Sequence, residues 1–153
     1  MAYFSLCLFS TFDFANGFHF ATDFKMPPNI TGDLHGFLQN FYTAVDSAQG
    51  KVALTYFTDT PTPEVDIGNQ KLLGKPAILA AFNKKTTDAT YEKQLNSVIL
   101  LAKIPTLLIQ VNAIVTKTPI GGGKSTTQNY MAKLSFLTDA YVGKLSKMVV
   151  NLS

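Results

Sequence analysis

The segment with the clearest chemical potential is a glycine-rich loop that ends in a lysine, Gly121-Gly122-Gly123-Lys124-Ser125. Such loops cradle phosphate groups when another glycine lies five residues before the Gly-Lys pair and the loop joins a strand to a helix. Thr118 occupies that position, and strand patterns lie on both sides of the loop. The segment therefore predicts a hairpin connection and not a nucleotide site.

Other residues that carry chemistry are sparse. Cys7 is the single cysteine among 153 residues, which excludes an internal disulfide and a cysteine-ligated metal cluster. No set of His, Cys, Asp and Glu has the spacing of metal ligands. We therefore expect no metal and no cofactor, and the lone cysteine favours a reducing, intracellular compartment.

The charge balance also limits the partners. The formal net charge is +3, arginine is absent, and the lysines form no basic run. Dedicated nucleic-acid domains cluster basic residues on one face, so strong direct nucleic-acid binding is not expected. With 46% hydrophobic and only 15% charged residues, the chain predicts a sizeable core and some apolar surface covered by a protein partner.

Residues 1–30 differ from the rest and are predicted to be a Phe-rich extension followed by a linker. Residues 1–25 hold seven of the twelve phenylalanines. No positive charge precedes Lys25, as a secretory signal would require, and the stretch is too short and too polar to span a membrane. The segment either packs on the domain, which we favour, or inserts into a larger assembly, or precedes a true start at Met26.

Residues 31–153 predict one α+β domain, with helices first and a four-strand antiparallel meander last. Helices are expected at 33–47, at 51–57 and from 74 onward, with Pro76 in the first turn of the third. Segments 64–67 and 71–73 predict a hairpin between the second and third helices. The long strands are expected at 91–104, 106–118, 125–137 and 141–152.

Three short sequence motifs occur along this domain. They are Phe37-Leu38-Gln39-Asn40-Phe41-Tyr42 with Asp46, then Gly68 followed by Gly74-Lys75-Pro76-Ala77-Ile78, then Gln128-Asn129-Tyr130 with Tyr141-Val142. In this order they resemble the nuclear transport factor 2-like family over residues 33–153. The resemblance implies a cone, in which three helices pack in the concave side of a bent, mainly antiparallel sheet.

Within that family, the carrier that imports Ran-GDP has acids in the loop that here spans 116–124 and an acid at the position of Gly68. The loop is basic and glycine-rich in this chain, which argues against a Ran-GDP import carrier. The motif Gln128-Asn129-Tyr130 is more similar to the sequence of the small subunit of the messenger RNA export receptor. The resemblance thus implies a non-enzymatic nucleocytoplasmic transport adaptor of the nucleus, cytoplasm and nuclear envelope.

Such an adaptor would pair its sheet with the matching domain of a larger export receptor, or with a second copy of itself, and help it engage nucleoporin repeats. Strand alternation places a mixed polar and apolar row opposite the predicted core. The predicted partner face consists of Gln110, Asn112, Ile114, Asn129, Met131, Lys133 and Lys147. Family members dimerise through this face; the alternative is a solvated outer surface.

Two further functions stay open beside the adaptor. One is an accessory subunit anchored in a large assembly by its Phe-rich arm. The other is a small-molecule isomerase or dehydratase, since such family members move protons with an Asp or an Asp-His pair in an apolar pocket. Its candidate residues are Asp66, Tyr42 and Tyr56, whereas His19 and His35 are expected outside the sheet and hairpin that would line a pocket. We predict no catalytic site, and therefore no enzyme.

Overall fold

The computed structural model describes residues 17–28, 30, 33–137 and 144–153. Its helices are α1 (Leu34–Asp46), α2 (Gly50–Leu54) and α3 (Lys75–Asp88). Its strands are β1 (Phe18–Lys25), β2 (Glu64–Ile67), β3 (Gln70–Leu73), β4 (Ala89–Ala102), β5 (Leu108–Pro119), β6 (Thr126–Phe136) and β7 (Leu145–Leu152). The first sixteen residues with Cys7, and the predicted turn and Tyr141-Val142 motif within 138–143, lie outside the described residues.

The strands form one sheet in the order β1-β4-β5-β6-β7-β2-β3. Strands β4 to β7 are an antiparallel meander, while β1 joins β4 and β2 joins β7 in parallel. Bulges in β4, between Leu95 and Ser97 and between Leu100 and Ala102, interrupt its register with β5, and such bulges bend a strand. The predicted α+β class, with helices on a bent, mainly antiparallel sheet, is confirmed.

Helix α1 forms where the sequence predicts it. The carboxylate of Asp33 accepts a hydrogen bond from the backbone N–H of Gly36 at 2.8 Å, which satisfies one of the free donors of the first turn. Apolar residues recur at helical spacing and bury one side of the helix against the sheet. The buried stripe includes Leu34, Phe37, Leu38, Phe41, Tyr42 and Val45.

Helix α2 is shorter than predicted, because it ends at Leu54 and not at Phe57. Phe57 instead forms a parallel bridge with Leu145 of β7, and the Leu145 N–H donates to the carbonyl of Tyr56 at 2.7 Å. The Phe57 side chain is fully buried. Tertiary pairing with β7 therefore overrides the helical pattern of these residues.

The hairpin and α3 match the prediction closely. Gly68 lies in the turn between β2 and β3 with φ +59, and Gly74 precedes α3 with φ +86, conformations that glycine adopts without strain. Pro76 lies in the first turn of α3, and Ile78 and Phe82 are the buried residues of that helix.

Strand β1 brings part of residues 1–30 into the sheet. Phe18 is buried in the core, and Phe20 stacks on His35 of α1 with ring centroids 3.9 Å apart. The N–H of Lys93 donates to the carbonyl of Gly17, so the pairing begins at the first described residue. Residues 18–25 thus form an edge strand that packs on the domain.

Candidate active site

A cavity of about 400 Å³ opens between the concave face of the sheet and helix α3, a size within the range of small-molecule sites. One wall is apolar and comes from β2, β7 and α3. Its residues are Val65, Ile67, Met148, Val150, Leu152 and Phe82. The opposite side is polar and includes Lys85, Tyr91, Lys93, Lys117, Gln128 and Tyr130.

An ion cluster lies beneath the polar side of the cavity. The Asp46 carboxylate, at the C-terminal end of α1, has no exposed side-chain surface and pairs with Lys85 of α3 and Lys93 of β4. The Lys93 ammonium nitrogen lies 3.2 Å from Oδ2 of Asp46 in this ion pair. Lys93 is only 2% exposed, whereas the side chain of Lys85 is 25% exposed.

Two tyrosines enclose the Lys93 ammonium group. Its nitrogen lies 4.2 Å from the ring centroid of Tyr42 and 4.2 Å from that of Tyr130, distances at which a cation is attracted to an aromatic face. The Tyr130 hydroxyl donates to the Tyr42 hydroxyl at 3.1 Å. We refer to Asp46, Lys85, Lys93, Tyr42 and Tyr130 together as the lysine–aspartate cluster.

Burial sets the proton affinities of this cluster. It lowers the pKa of Lys93 from 10.5 to about 8, since desolvation and the charge of Lys85 outweigh the attraction of Asp46. Burial alone would raise the pKa of Asp46, but the two ammonium groups hold it below its usual value. Desolvation raises the pKa of both Tyr42 and Tyr130, which therefore stay protonated at neutral pH.

This arrangement suits proton transfer. A lysine whose pKa is near 8 can exist as a neutral amine in a useful fraction at physiological pH, and enzymes tune lysine bases in this way. A phenol both donates and accepts, so Tyr42 can donate to Tyr130 and leave the Tyr130 proton for a ligand oxygen. Asp46 holds the Lys93 side chain in place. Among the described residues, no three His, Cys, Asp or Glu side chains gather as a metal site would need.

The cluster contains one of the three catalytic candidates from the sequence. Tyr42 is fully buried within it. Tyr56 lies elsewhere and packs edge-on against the rings of Phe37 and Phe41, at centroid distances of 5.3 and 6.0 Å. Neither Phe41 nor Tyr56 fills the cavity, whose lining holds neither.

Asp66 does not point into the cavity, contrary to its candidacy. Its neighbours Val65 and Ile67 line the cavity, so strand alternation turns Asp66 to the other face. There it lies 3.9 Å from the ammonium nitrogen of Lys147. Desolvation and the adjacent Glu64 raise the pKa of Asp66, but this happens outside the site.

The two histidines differ from each other in position. His19 lies on β1 within the sheet, so its expected place outside the sheet was wrong. Its Nε2 is 3.4 Å from the side-chain oxygen of Gln94. His35 lies on α1 and stacks on Phe20. Neither histidine lines the cavity.

The seven residues of the predicted partner face lie on the outer face of the sheet. Strand pairing aligns Gln110 with Lys133 and Asn112 with Met131, and Ile114 is 37% exposed. The residues that alternate with this row on β5 are buried: Leu107, just before the strand, with Ile109, Val111, Ala113 and Val115. Whether a partner binds the outer face stays a prediction.

Four cluster members had not been selected as site residues: Asp46, Lys85, Lys93 and Tyr130. One signal was present for Asp46, since Leu38, Tyr42 and Asp46 follow each other at intervals of four on the apolar stripe of α1. A carboxylate on a buried stripe requires a buried cation. The sequence indicates the burial of Lys93 less clearly, because a lysine within a long strand is normally predicted to be exposed.

Comparison with known proteins supports the fold. No protein-family profile matches the sequence, and no curated protein matches it significantly. Among solved structures, a proposed dehydratase of the nuclear transport factor 2-like family from Streptomyces avermitilis superposes with a TM-score of 0.65 at 15% identity, over 79% of this chain and 94% of that one.

Two further structures agree. A nuclear transport factor 2-like protein of unknown function from Burkholderia pseudomallei has a TM-score of 0.64 at 12% identity, covering 80% of this chain and 92% of that one. A hypothetical protein with a ketosteroid isomerase-like fold from Catenulispora acidiphila, in complex with trimethylamine, has a TM-score of 0.61 at 7% identity, covering 74% and 82%. The chain therefore has the nuclear transport factor 2-like fold.

These neighbours overturn the prediction that the chain is not an enzyme, since they include a proposed dehydratase and a hypothetical protein with a ketosteroid isomerase-like fold. None of the three is described as a transport or export protein. The open alternative of an isomerase or dehydratase agrees with them better than the export adaptor does. At these identities the likeness shows the fold alone.

Proposed function

We propose that this protein is a small-molecule enzyme of the isomerase or dehydratase class, which moves protons within the concave cavity. The observation that carries the proposal is the buried pair of Lys93 and Asp46 beside Tyr130, next to an apolar wall. A cavity with a few convergent polar groups and a perturbed lysine is a candidate active site on physical grounds. The fold of the neighbours is compatible with this class.

The proposed reaction starts with a substrate that carries a carbonyl group. The neutral amine of Lys93 takes a proton from the carbon next to the carbonyl, and the bonding electron pair moves to form an enolate. The Tyr130 hydroxyl stabilises the enolate oxygen by a hydrogen bond, the role of an oxyanion-hole donor. In a β,γ-unsaturated carbonyl compound, Lys93 returns the proton to the γ-carbon, and the double bond moves into conjugation to complete an isomerisation. In a β-hydroxy carbonyl compound, Lys93 gives the proton to the β-hydroxyl, which leaves as water as the enolate electron pair forms the new double bond.

Proton abstraction can be tested without knowing the natural substrate. The protein is incubated in deuterium oxide with a panel of cyclic and aromatic ketones, with and without a carboxylate, and exchange of the protons next to the carbonyl is followed by NMR. We expect exchange with at least one compound, and loss of most of it in Lys93→Met and in Tyr130→Phe.

The matched control is Lys124→Met, which removes a lysine from the exposed loop that joins β5 to β6 and does not line the cavity. It should leave the exchange rate unchanged. No exchange with any compound, or equal exchange in Lys93→Met and the unmodified protein, contradicts the proposed function.

A second proposal concerns the outer face, which we infer binds a protein partner with a matching sheet or a second copy of the chain. Several of its polar groups are already satisfied: Asn112 donates to Ser97 at 3.1 Å, and the Lys147 ammonium nitrogen is 3.4 Å from Glu64. Burying such a face costs less desolvation free energy than burying a face with unpaired charges. The narrower role in messenger RNA export, and a nuclear location, remain predictions.

Met131→Glu places a charge at the centre of this face and should prevent association while the chain stays folded, because a buried unpaired charge is costly. Size-exclusion chromatography of the purified protein, alone and with a captured partner, measures this. Asn69→Glu adds the same charge in the exposed β2–β3 turn and should have no effect. Identical elution of Met131→Glu and the unmodified protein in every complex contradicts the proposal.

A further inference from the structure

The charges that line the cavity are unbalanced, which bears on the class of molecule that enters it. Four lysines contribute to the lining, namely Lys84, Lys85, Lys93 and Lys117, against a single carboxylate, Asp88. Behind the lining, Asp46 adds one more negative charge. With every lysine protonated, four positive charges face two negative ones, so two positive charges are left over.

Ion pairing within the chain shows where this excess lies. Lys84 pairs with Asp88 at 3.1 Å, and Asp46 is shared between Lys85 and Lys93. That cluster keeps one positive charge while Lys93 is protonated and none when Lys93 is the neutral amine, because Asp46 and Lys85 then balance each other. Lys117 makes no ion pair with any part of the chain that the structure describes.

Two of the lining lysines, Lys85 and Lys117, share one neighbour, Tyr91. Lys117 is paired with Tyr91 across β4 and β5, and the Lys85 ammonium nitrogen lies 4.1 Å from the centre of the Tyr91 ring. Gln128 stands opposite Val115 on the adjoining strand and also lines the cavity. We call Lys85, Tyr91, Lys117 and Gln128 the polar corner; its ammonium and amide groups can all donate hydrogen bonds.

The geometry points to an organic anion as the ligand of this cavity: a small carboxylate with an apolar body. The carboxylate lies at the polar corner, between Lys85 and Lys117, and the body extends over the wall formed by Ile67, Met148 and Val150. A carboxylate there accepts charge-assisted hydrogen bonds and offsets the charge of Lys117, which lines the cavity in either protonation state of Lys93. This inference rests on the proposed function, for which it names the substrate class.

The test compares three ligands of one shape by isothermal titration calorimetry with the full chain: naphthoate, naphthylmethanol and naphthylmethylamine. We expect naphthoate to bind roughly tenfold or more tightly than the neutral alcohol, and the amine to bind most weakly, since charged hydrogen bonds exceed neutral ones. Lys117→Gln should weaken naphthoate binding roughly fivefold and leave the alcohol unaffected.

Lys124→Gln is the matched control, because it removes the same charge from the exposed loop that joins β5 to β6 and does not line the cavity. It should leave naphthoate binding unchanged. Equal affinity for naphthoate and the alcohol, or the same loss in both lysine variants, overturns the inference, as does no binding of any of the three.

None of these results decides the proposed function, which depends on deuterium exchange and on Lys93. Exchange confined to neutral ketones would retain the proton-transfer enzyme and reject the anionic substrate. Anion binding without exchange would retain the ligand class as a binding property and reject the enzyme.

Discussion

The buried Lys93 ammonium should make the stability of the protein rise with pH in the weakly alkaline range. The fold lowers the pKa of Lys93 from 10.5 to about 8, so the unfolded chain binds this proton more tightly than the folded one. Stability increases with pH wherever the unfolded state carries more protons. The increase therefore begins near pH 8, as the folded protein releases the proton, and continues toward pH 10.5.

The size of this effect follows from the pKa values. At about 1.36 kcal/mol per pKa unit, the complete change is about 3 kcal/mol, of which about 2 kcal/mol falls between pH 7 and pH 9.5. The increase in stability is predicted only up to about pH 9.5, because Tyr42 and Tyr130 lower the stability at higher pH. Burial raises the pKa values of both tyrosines in the folded protein. Their unfolded forms ionise near pH 10 and pull the equilibrium toward unfolding.

Urea denaturation followed by circular dichroism at a series of pH values measures the free energy of unfolding. In Lys93→Met the rise of about 2 kcal/mol should disappear, because the titrating group is gone. In Lys133→Met, which alters the outer face, the rise should persist. A flat or falling profile in the unmodified protein, or the same rise in Lys93→Met, would refute the assignment of Lys93.

Asp46→Asn tests the same cluster by removing the charge of the carboxylate that pairs with Lys93. It leaves two ammonium groups together, one of them fully buried, and removal of one member of a buried ion pair costs about 3–5 kcal/mol. Part of this loss should be recovered at pH 9.5, where Lys93 can become neutral. A variant equally destabilised at pH 7 and pH 9.5 would show that Lys93 does not carry the uncompensated charge.

Two smaller predictions concern the tyrosine pair and the start of α1. Tyr42→Phe leaves the buried Tyr130 hydroxyl without its partner and should lower the free energy of unfolding by about 1–3 kcal/mol in urea denaturation. The double variant Tyr42→Phe/Tyr130→Phe should lose less stability than the sum of the two single variants. Full additivity of the two losses would argue against a hydrogen bond between the tyrosines. Asp33→Ala removes the capping carboxylate that accepts a hydrogen bond from the Gly36 N–H, so the protein should lose about 1 kcal/mol of stability. The loss should appear as a lower midpoint of thermal unfolding, and an unchanged midpoint would show that the cap does not stabilise the helix.

Much of the fold could be predicted because local signals and tertiary packing agree. In α1, a capping aspartate, an apolar stripe and the absence of breakers all predict the helix that forms. In β5, strict alternation identifies the buried face, and Gly74 with Pro76 marks the start of α3. Where tertiary pairing decides, prediction fails: the bridge between Phe57 and Leu145 shortens α2.

The candidate site was harder to predict, because it joins residues from distant elements. Asp46 and Lys93 are 47 positions apart in sequence and meet only when α1 packs on β4. A single lysine in a long strand has no pattern that marks it as buried, so the catalytic candidates were an aspartate and two tyrosines, and the prediction of no enzyme was wrong. Strand alternation around Asp66 already indicated that it faces away from Val65 and Ile67.

If Lys93 is the base that acts in the cavity, the rate of substrate proton exchange must depend on its protonation state and therefore on pH. For the ketone that exchanges fastest in deuterium oxide, the rate should rise through a midpoint near pH 8, as Lys93 loses its proton, and Lys93→Met should abolish the rise. A rate without a titration near pH 8, or a rise that persists in Lys93→Met, would show that Lys93 is not the base.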